Sequence, residues 1–235
     1  MYTFVPQEFG PLKIFEKPVT GMQYTIGIDA STGLADDYTS MQVLTNTRPT
    51  RQAAAFRAKW TVNDVSSFAD KLGRYYNEAL IICEINYPGN SVQDALLQYY
   101  RYPRNYQPET HLNENLDISC KYGFRTTEAT KWILINEMQL AMSRREVLIY
   151  DQTTISEFLN FVYLIDKRKA GSAAGFNDDT VMAMMLAYHG VNLYPITQIV
   201  PTKEKKTNIS PEAKKTWDDF RRRLTQPRIE RIVRL

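Results

Sequence analysis

This sequence predicts an α/β fold, a mixed sheet flanked by helices. Three observations predict it. Residues 23–60 hold three strand-like runs separated by turn-rich connections, which fits an antiparallel meander. Ala79-Leu-Ile-Ile-Cys-Glu84 is a short unbroken apolar run closed by a charge, as expected of a strand buried on both faces. Amphipathic helical patterns lie between and after these runs, so helices are available to cover the sheet.

The elements follow in order. Residues 1–20 carry Pro6, Gly10, Pro11 and Pro18 and read as an extended lead-in with one short strand, Leu12–Phe15. Strands are predicted over 23–29, 38–45 and 52–60, with Ser31–Asp37 as a turn-rich connection. Asn63-Asp-Val-Ser-Ser starts a helix that sets Val65, Phe68, Ala69 and Leu72 on one face. After the strand 79–84, Pro88-Gly-Asn90 turns the chain into a helix marked by Val92, Leu96, Leu97 and Tyr100. Residues 101–125 are polar and contain Pro103, Pro108 and Gly123, so they read as loop with at most one strand. A longer helix spans Thr127 to Arg145, and Val147–Tyr150 is a strand or a turn. A brief helix at 153–157, a strand at 158–164, a loop at 167–175 and a helix at 178–189 complete the body. His189, just before Gly190, reads as part of that helix's C-terminal cap. Ser210-Pro-Glu-Ala opens a last helix, with Ser as cap and Pro in the first turn. This order is the mixed plan of an RNase H-like fold, the plan of resolvases and integrases. The domain reading is a lead-in over 1–20, a body over 21–200 and a basic helix or tail over 201–235.

Composition narrows the function classes. No apolar run approaches the roughly 20 residues of a membrane span, and the first residues lack the pattern of a secretory signal. Two cysteines, Cys83 and Cys120, make no disulfide framework, so a reducing intracellular setting is the default. Two cysteines with two histidines also argue against a structural zinc site, which needs about four such ligands. Residues 203–235 hold 11 Lys and Arg against 5 Asp and Glu, while the whole chain is only +3. An acidic body with a basic tail suits a polyanionic partner.

The chemistry lies in carboxylates at the ends of elements. Asp29 ends the run Tyr24-Thr-Ile-Gly-Ile-Asp29, Glu84 ends Leu80-Ile-Ile-Cys-Glu84, and Asp178 and Asp179 open the last helix of the body. Each has a plain structural reading. Asp29 can be a turn residue, Asn177 or Asp178 a helix cap, and Asp179 a complement to the helix dipole. Glu84 is harder to dismiss, because a charge ending a buried strand needs a partner. Together, at the ends of elements where α/β sheets place their sites, they read as a metal centre. Like charges repel unless a cation sits among them, and an all-carboxylate set selects Mg²⁺ or Mn²⁺. Two such ions would support phosphodiester hydrolysis.

At these residues the chain resembles the C-terminal nuclease domain of the large terminase subunit of tailed bacteriophages. Tyr24-Thr-Ile-Gly-Ile-Asp-Ala-Ser-Thr-Gly33 with Asp37-Tyr-Thr-Ser40 is similar to that family's first strand and turn. Glu84-Ile-Asn86 with Gly89 and Val92, Gly123-Phe-Arg-Thr-Thr127 with Lys131, and Asn177-Asp-Asp-Thr-Val-Met-Ala183 match its later blocks in the same order. The resemblance implies two-metal cleavage of double-stranded DNA during viral genome packaging. It implies that Asp29 bridges the ions, that Glu84 holds one, and that Asp178, Asp179 or both hold the other. Asp37 aligns with the turn and reads as a supporting residue. Lys121, Arg125 and Lys131 are candidate phosphate contacts, with an ion-paired or solvated face as the equal alternative. A portal protein and a small terminase subunit are the implied partners, and the host cytoplasm the implied location.

Large terminases also carry an ATPase motor. No G-x-x-x-x-G-K-[ST] motif occurs in this sequence, so it reads as the isolated nuclease domain, with 1–20 a remnant of the linker. The tail offers Arg221, Arg222 and Arg223, for which phosphate binding, portal docking and a merely solvated segment are the readings. Two rival functions stand beside the nuclease. One is a Holliday-junction resolvase of the same fold. The other is a non-catalytic actin-like or structural module, suggested by the phosphate-loop look of Asp29-Ala-Ser-Thr-Gly33.

Overall fold

The structure is a computed structural model that describes residues 3–5, 7–34, 37–108, 122–164 and 169–194. The helix expected from Ser210 and the basic tail lie outside the described residues. No helix among the described residues is long and apolar enough to cross a membrane.

The expected meander forms. Strands β2 (Tyr24–Asp29), β3 (Thr39–Thr45) and β4 (Thr50–Ala58) pair antiparallel in sequence order. The short β1 (Leu12–Ile14) joins the far side of β4, also antiparallel. Strand β5 (Leu80–Cys83) lies parallel to β2. A parallel partner needs a crossover, and helix α1 (Val62–Tyr75) supplies it. The sheet path is β1-β4-β3-β2-β5, and β6 (Val147–Leu148) also pairs with β4. The α1 cap is Thr61, whose side chain accepts from the Asp64 amide, two residues before the expected start.

Each sheet face has its own core. Tyr24, Ile26 and Ile28 of β2 point to one side with Ile81 and Cys83 of β5, where Val65, Ala69 and Leu72 of α1 cover them. Leu80 and Ile82 point to the other side. There they meet α3 (Glu128–Ser143) and α5 (Asp179–Leu193). Residues Thr180 to Tyr188 of α5 are all buried, as expected of a helix sandwiched between a sheet and a second helix.

Four details depart from the sequence expectation. Helix α2 (Gly89–Asp94) runs into a π-helical turn, Ala95–Tyr99. Helix α4 (Gln152–Leu159) takes residues expected in the next strand, which is shortened to β7 (Phe161–Leu164). The expected loop 167–175 contains β8 (Lys169–Ser172), which forms a hairpin with β7. Helix α5 continues past Gly190, because that glycine is a packing residue. A Cβ there would press on Thr25 and Ile82 of the sheet. His189 is therefore no terminal cap; its Nδ1 meets the Glu137 carboxylate of α3 at 3.0 Å.

Candidate metal centre

Strand alternation assembles the acidic residues. Thr25, Gly27 and Asp29 form one face of β2, and Leu80, Ile82 and Glu84 form the same face of β5 and its continuation. The register pairs Ile28 with Cys83, and the Glu84 amide donates to the Ile28 carbonyl at 2.9 Å. Asp29 and Glu84 thus end neighbouring parallel strands on the face that α5 covers. Gly27 lets the helix approach, since a Cβ there would collide with the Ala183 carbonyl and the Ala187 amide. The α5 N-terminus then delivers Asp178 and Asp179 to the same end of the sheet.

The blocks around Glu84 fix its backbone and its side chain. Gly89 packs on the Glu84 carbonyl with no room for a side chain. Phe124 bridges Glu84 as a parallel strand would, through hydrogen bonds to Cys83 and Ile85. Asn86 donates to Glu84 Oε1 at 3.1 Å and to the Thr126 carbonyl at 2.8 Å. The Glu-x-Asn spacing thereby ties the carboxylate to the segment that opens α3.

The electrostatics are those of a crowded anionic site. Burial pushes the Asp29 carboxyl well above the ordinary carboxylate range, and Glu84, Asp179 and Asp178 add to the rise. The Asp29 and Glu84 side chains lie within hydrogen-bonding reach of each other. Asp179 is pushed up to about 7, first by burial and then by Glu157, with Arg57 opposing. Asp37 also raises Asp179 through its charge.

Two cations enter the cluster. Lys131 Nζ lies 3.5 Å from Asp178 Oδ2 and 5.4 Å from the Phe161 ring centroid. Arg57 lies 3.4 Å from Asp179 Oδ2 and 3.6 Å from Glu157 Oε1. Asp178 occupies the N-cap position, yet its side chain makes no capping hydrogen bond. Glu157 of α4 serves α5 instead, accepting from the Thr180 amide at 2.8 Å and from its hydroxyl. No three His, Cys, Asp or Glu side chains among the described residues are gathered closely enough to hold one ion.

Of the four expected carboxylates, Glu84 is in direct reach of Asp29, and Asp178 and Asp179 are within charge range of it. Lys131 joins them. Arg125 is exposed in the segment after Phe124. Lys121, Arg221, Arg222 and Arg223 lie outside the described residues. Sequence reasoning missed Arg57 and Glu157. Arg57 had a signal, a charge one residue from the end of β4, directly after the apolar run Ala53–Phe56. Glu157, one acid in a short helix, had none.

No protein-family model matches the chain. Solved structures do. The large terminase nuclease of thermophilic phage G20c with bound magnesium is 20% identical, with a TM-score of 0.60 over 78% of this chain and 89% of that one. The same nuclease with bound cobalt is 21% identical, with the same score and coverage. The large terminase nuclease domain of Thermus phage P74-26 is 21% identical, with a TM-score of 0.59 over 77% and 86%. The chain has the fold of these nuclease domains, the RNase H-like mixed sheet.

Proposed function

We propose that this chain is the nuclease domain of a large terminase, a divalent-metal-dependent endonuclease that cuts double-stranded DNA during viral genome packaging. The observation that carries the reading is that Glu84, Asp178 and Asp179 all lie within charge range of Asp29 at one sheet end, in the fold of terminase nucleases. Its setting is the packaging machine in the host cytoplasm, beside an ATPase motor, a portal protein and a small terminase subunit.

The residues fit a hard cation. Every donor is a carboxylate oxygen, and Asp29 cannot ionise comfortably among three other acids without a positive charge beside it. Mg²⁺ or Mn²⁺ suits such oxygens better than softer metals do. Two ions there would supply an activated water and charge stabilisation for the leaving oxygen of a phosphodiester.

The side chains have separable tasks. Asp29, central in the cluster, would be shared between the ions, Glu84 would hold one, and Asp178 and Asp179 the other. Asn86 holds the Glu84 carboxylate through its hydrogen bond to Oε1. Lys131 and Arg125 border the site, where a DNA phosphate would meet positive charge; Lys121 and the tail arginines Arg221, Arg222 and Arg223 would add to that attraction.

The test is plasmid cleavage with Mn²⁺, with Mg²⁺ and with EDTA. Nicking and linearisation are expected with either metal and none with EDTA. Asp29→Asn and Glu84→Gln should each lower the rate by at least about a hundredfold. Undiminished cutting by both variants would overturn the site. Preference for a four-way junction over linear duplex would move the assignment to a resolvase.

A further inference from the structure

Arg57 is placed in the acidic centre by strand register. Asp29 pairs with Ser40, and Ser40 pairs with Arg57, so the three residues form one row across β2, β3 and β4. Residues paired across a sheet share a face, so Arg57 projects to the α5 side, as Asp29 does.

There its Nη2 is shared between two carboxylates, with a long hydrogen bond to Asp179 and an ion pair to Glu157. The 3.4 Å and 3.6 Å separations from Asp179 and Glu157 exceed the roughly 2.7–2.9 Å of a tight charge-assisted hydrogen bond. Its Nε is buried with no hydrogen-bond partner among the described residues. The Tyr38 ring lies 3.6 Å away and stacks on the guanidinium plane. Glu157 is 6% exposed, and its Oε2 is anchored to Thr180, which leaves Oε1 for Arg57. Because Thr180 follows Asp179 directly, the two acids that share Arg57 are held to the same turn of α5.

We infer that Glu157 is a positioning residue that draws Arg57 off Asp179 and so frees Asp179 for a divalent cation. A guanidinium and a divalent ion on one carboxylate repel each other, so Arg57 on Asp179 Oδ2 weakens the hold of that carboxylate on an ion. Glu157 gives Arg57 a second seat inside the cluster, where its charge still offsets the acids. This inference rests on the metal-centre reading above.

Mn²⁺ affinity, read by calorimetry or by the loss of the free-ion EPR signal, tests it without any cleavage assay. The four proteins are the wild type, E157Q, R57Q and the double variant. Glutamine keeps an acceptor for Thr180 while removing the charge that holds Arg57. E157Q should bind Mn²⁺ at least tenfold more weakly. R57Q should gain at most about twofold in the wild-type background and tenfold or more in the E157Q background. Equal gains in the two backgrounds would mean that the charges act only through their general field, and would overturn the inference. A wild type that binds no Mn²⁺ would sink the metal centre itself, which is a separate failure. Should E157Q fail to fold, as shown by thermal unfolding, R57Q alone decides. A tenfold loss of Mn²⁺ affinity in that single variant overturns competition between Arg57 and the ion, and retained or improved affinity supports it.

Discussion

Asp29 and Glu84 stand one step beyond the paired residues Ile28 and Cys83, so two carboxylates share the end of one parallel strand pair. That closeness is costly without a cation. The Asp29 carboxyl sits above its unfolded value, so the folded state holds protons that the unfolded chain releases. Stability therefore falls as pH rises from the unfolded value, near 4, through the higher folded one. Asp29→Asn removes that loss. In EDTA at neutral pH its melting temperature should exceed the wild type's by a few degrees, at about 2–4 °C per kcal/mol for a chain of this size. Mn²⁺ should raise the melting temperature of the wild type and not that of the variant. Scanning calorimetry with and without the ion reads both effects.

The close contact of β2 with α5 makes Gly27 a sharp probe of the fold. Its missing side chain lets the strand lie against the Ala183 carbonyl and the Ala187 amide. Gly27→Ala would push apart the elements that carry Asp29 and Asp179, so it should cost about 3 kcal/mol or more. Denaturant titration should show the loss as a lower midpoint. Gly21, which has open space for a Cβ, is a poor control because its φ is +80° and any side chain there strains the backbone.

The legibility of this chain follows the range of its interactions. Strands β2 to β5 were readable because alternation and short apolar runs are local properties of the residues. Asp29 and Glu84 stood out because each ends such a run, and the Asp178/Asp179 pair because it opens the last helix of the body. Strand β8 was not, since Lys169-Ala-Gly-Ser172 has no apolar alternation and gains its extended form from pairing with β7. The length of α5 was misread because Gly190 looks like a stop signal, whereas its role is contact with Thr25 and Ile82. Glu157 was invisible for a similar reason. Its partner Thr180 is 23 residues away, and no spacing rule links the end of one helix to the start of another.

Cys83 should be inert in the native protein. It is fully buried beside Glu84, and burial first, then the nearby carboxylates, push its thiol pKa up, so very little thiolate exists at neutral pH. A maleimide or iodoacetamide should leave Cys83 unmodified in buffer and label it fully in denaturant. Site-resolved mass spectrometry checks this, and rapid native labelling of Cys83 would contradict the packing of β5.

The far end of α4 supplies a pH-dependent element away from the acidic centre. Asp151 caps that helix, accepting from the Thr154 amide and hydroxyl at 2.9 Å each, and it accepts from Lys13 Nζ at 2.8 Å. Gln52 Oε1 accepts the amides of Tyr150 and Asp151, and the Gln52 side chain donates to Gln42, so the cap is locked to β3 and β4. Burial by itself would raise the Asp151 carboxyl, but the Lys13 and Thr154 hydrogen bonds outweigh it and hold the value below the ordinary range. A lowered folded value means that the stabilisation is complete above the unfolded value, near 4, and is lost as pH falls through the lower folded one. Asp151→Ala should cost about 1–2 kcal/mol at pH 7, as the loss of a helix cap does. The deficit relative to wild type should shrink as pH drops below about 4. Because α4 also presents Glu157 to Thr180 and Arg57, the same variant should weaken Mn²⁺ binding although Asp151 is not among the residues that converge on Asp29. Unfolding curves between pH 7 and 3, paired with an Mn²⁺ titration at pH 7, separate the two effects; a constant deficit across that range would rule out the ionised Asp151 as its source.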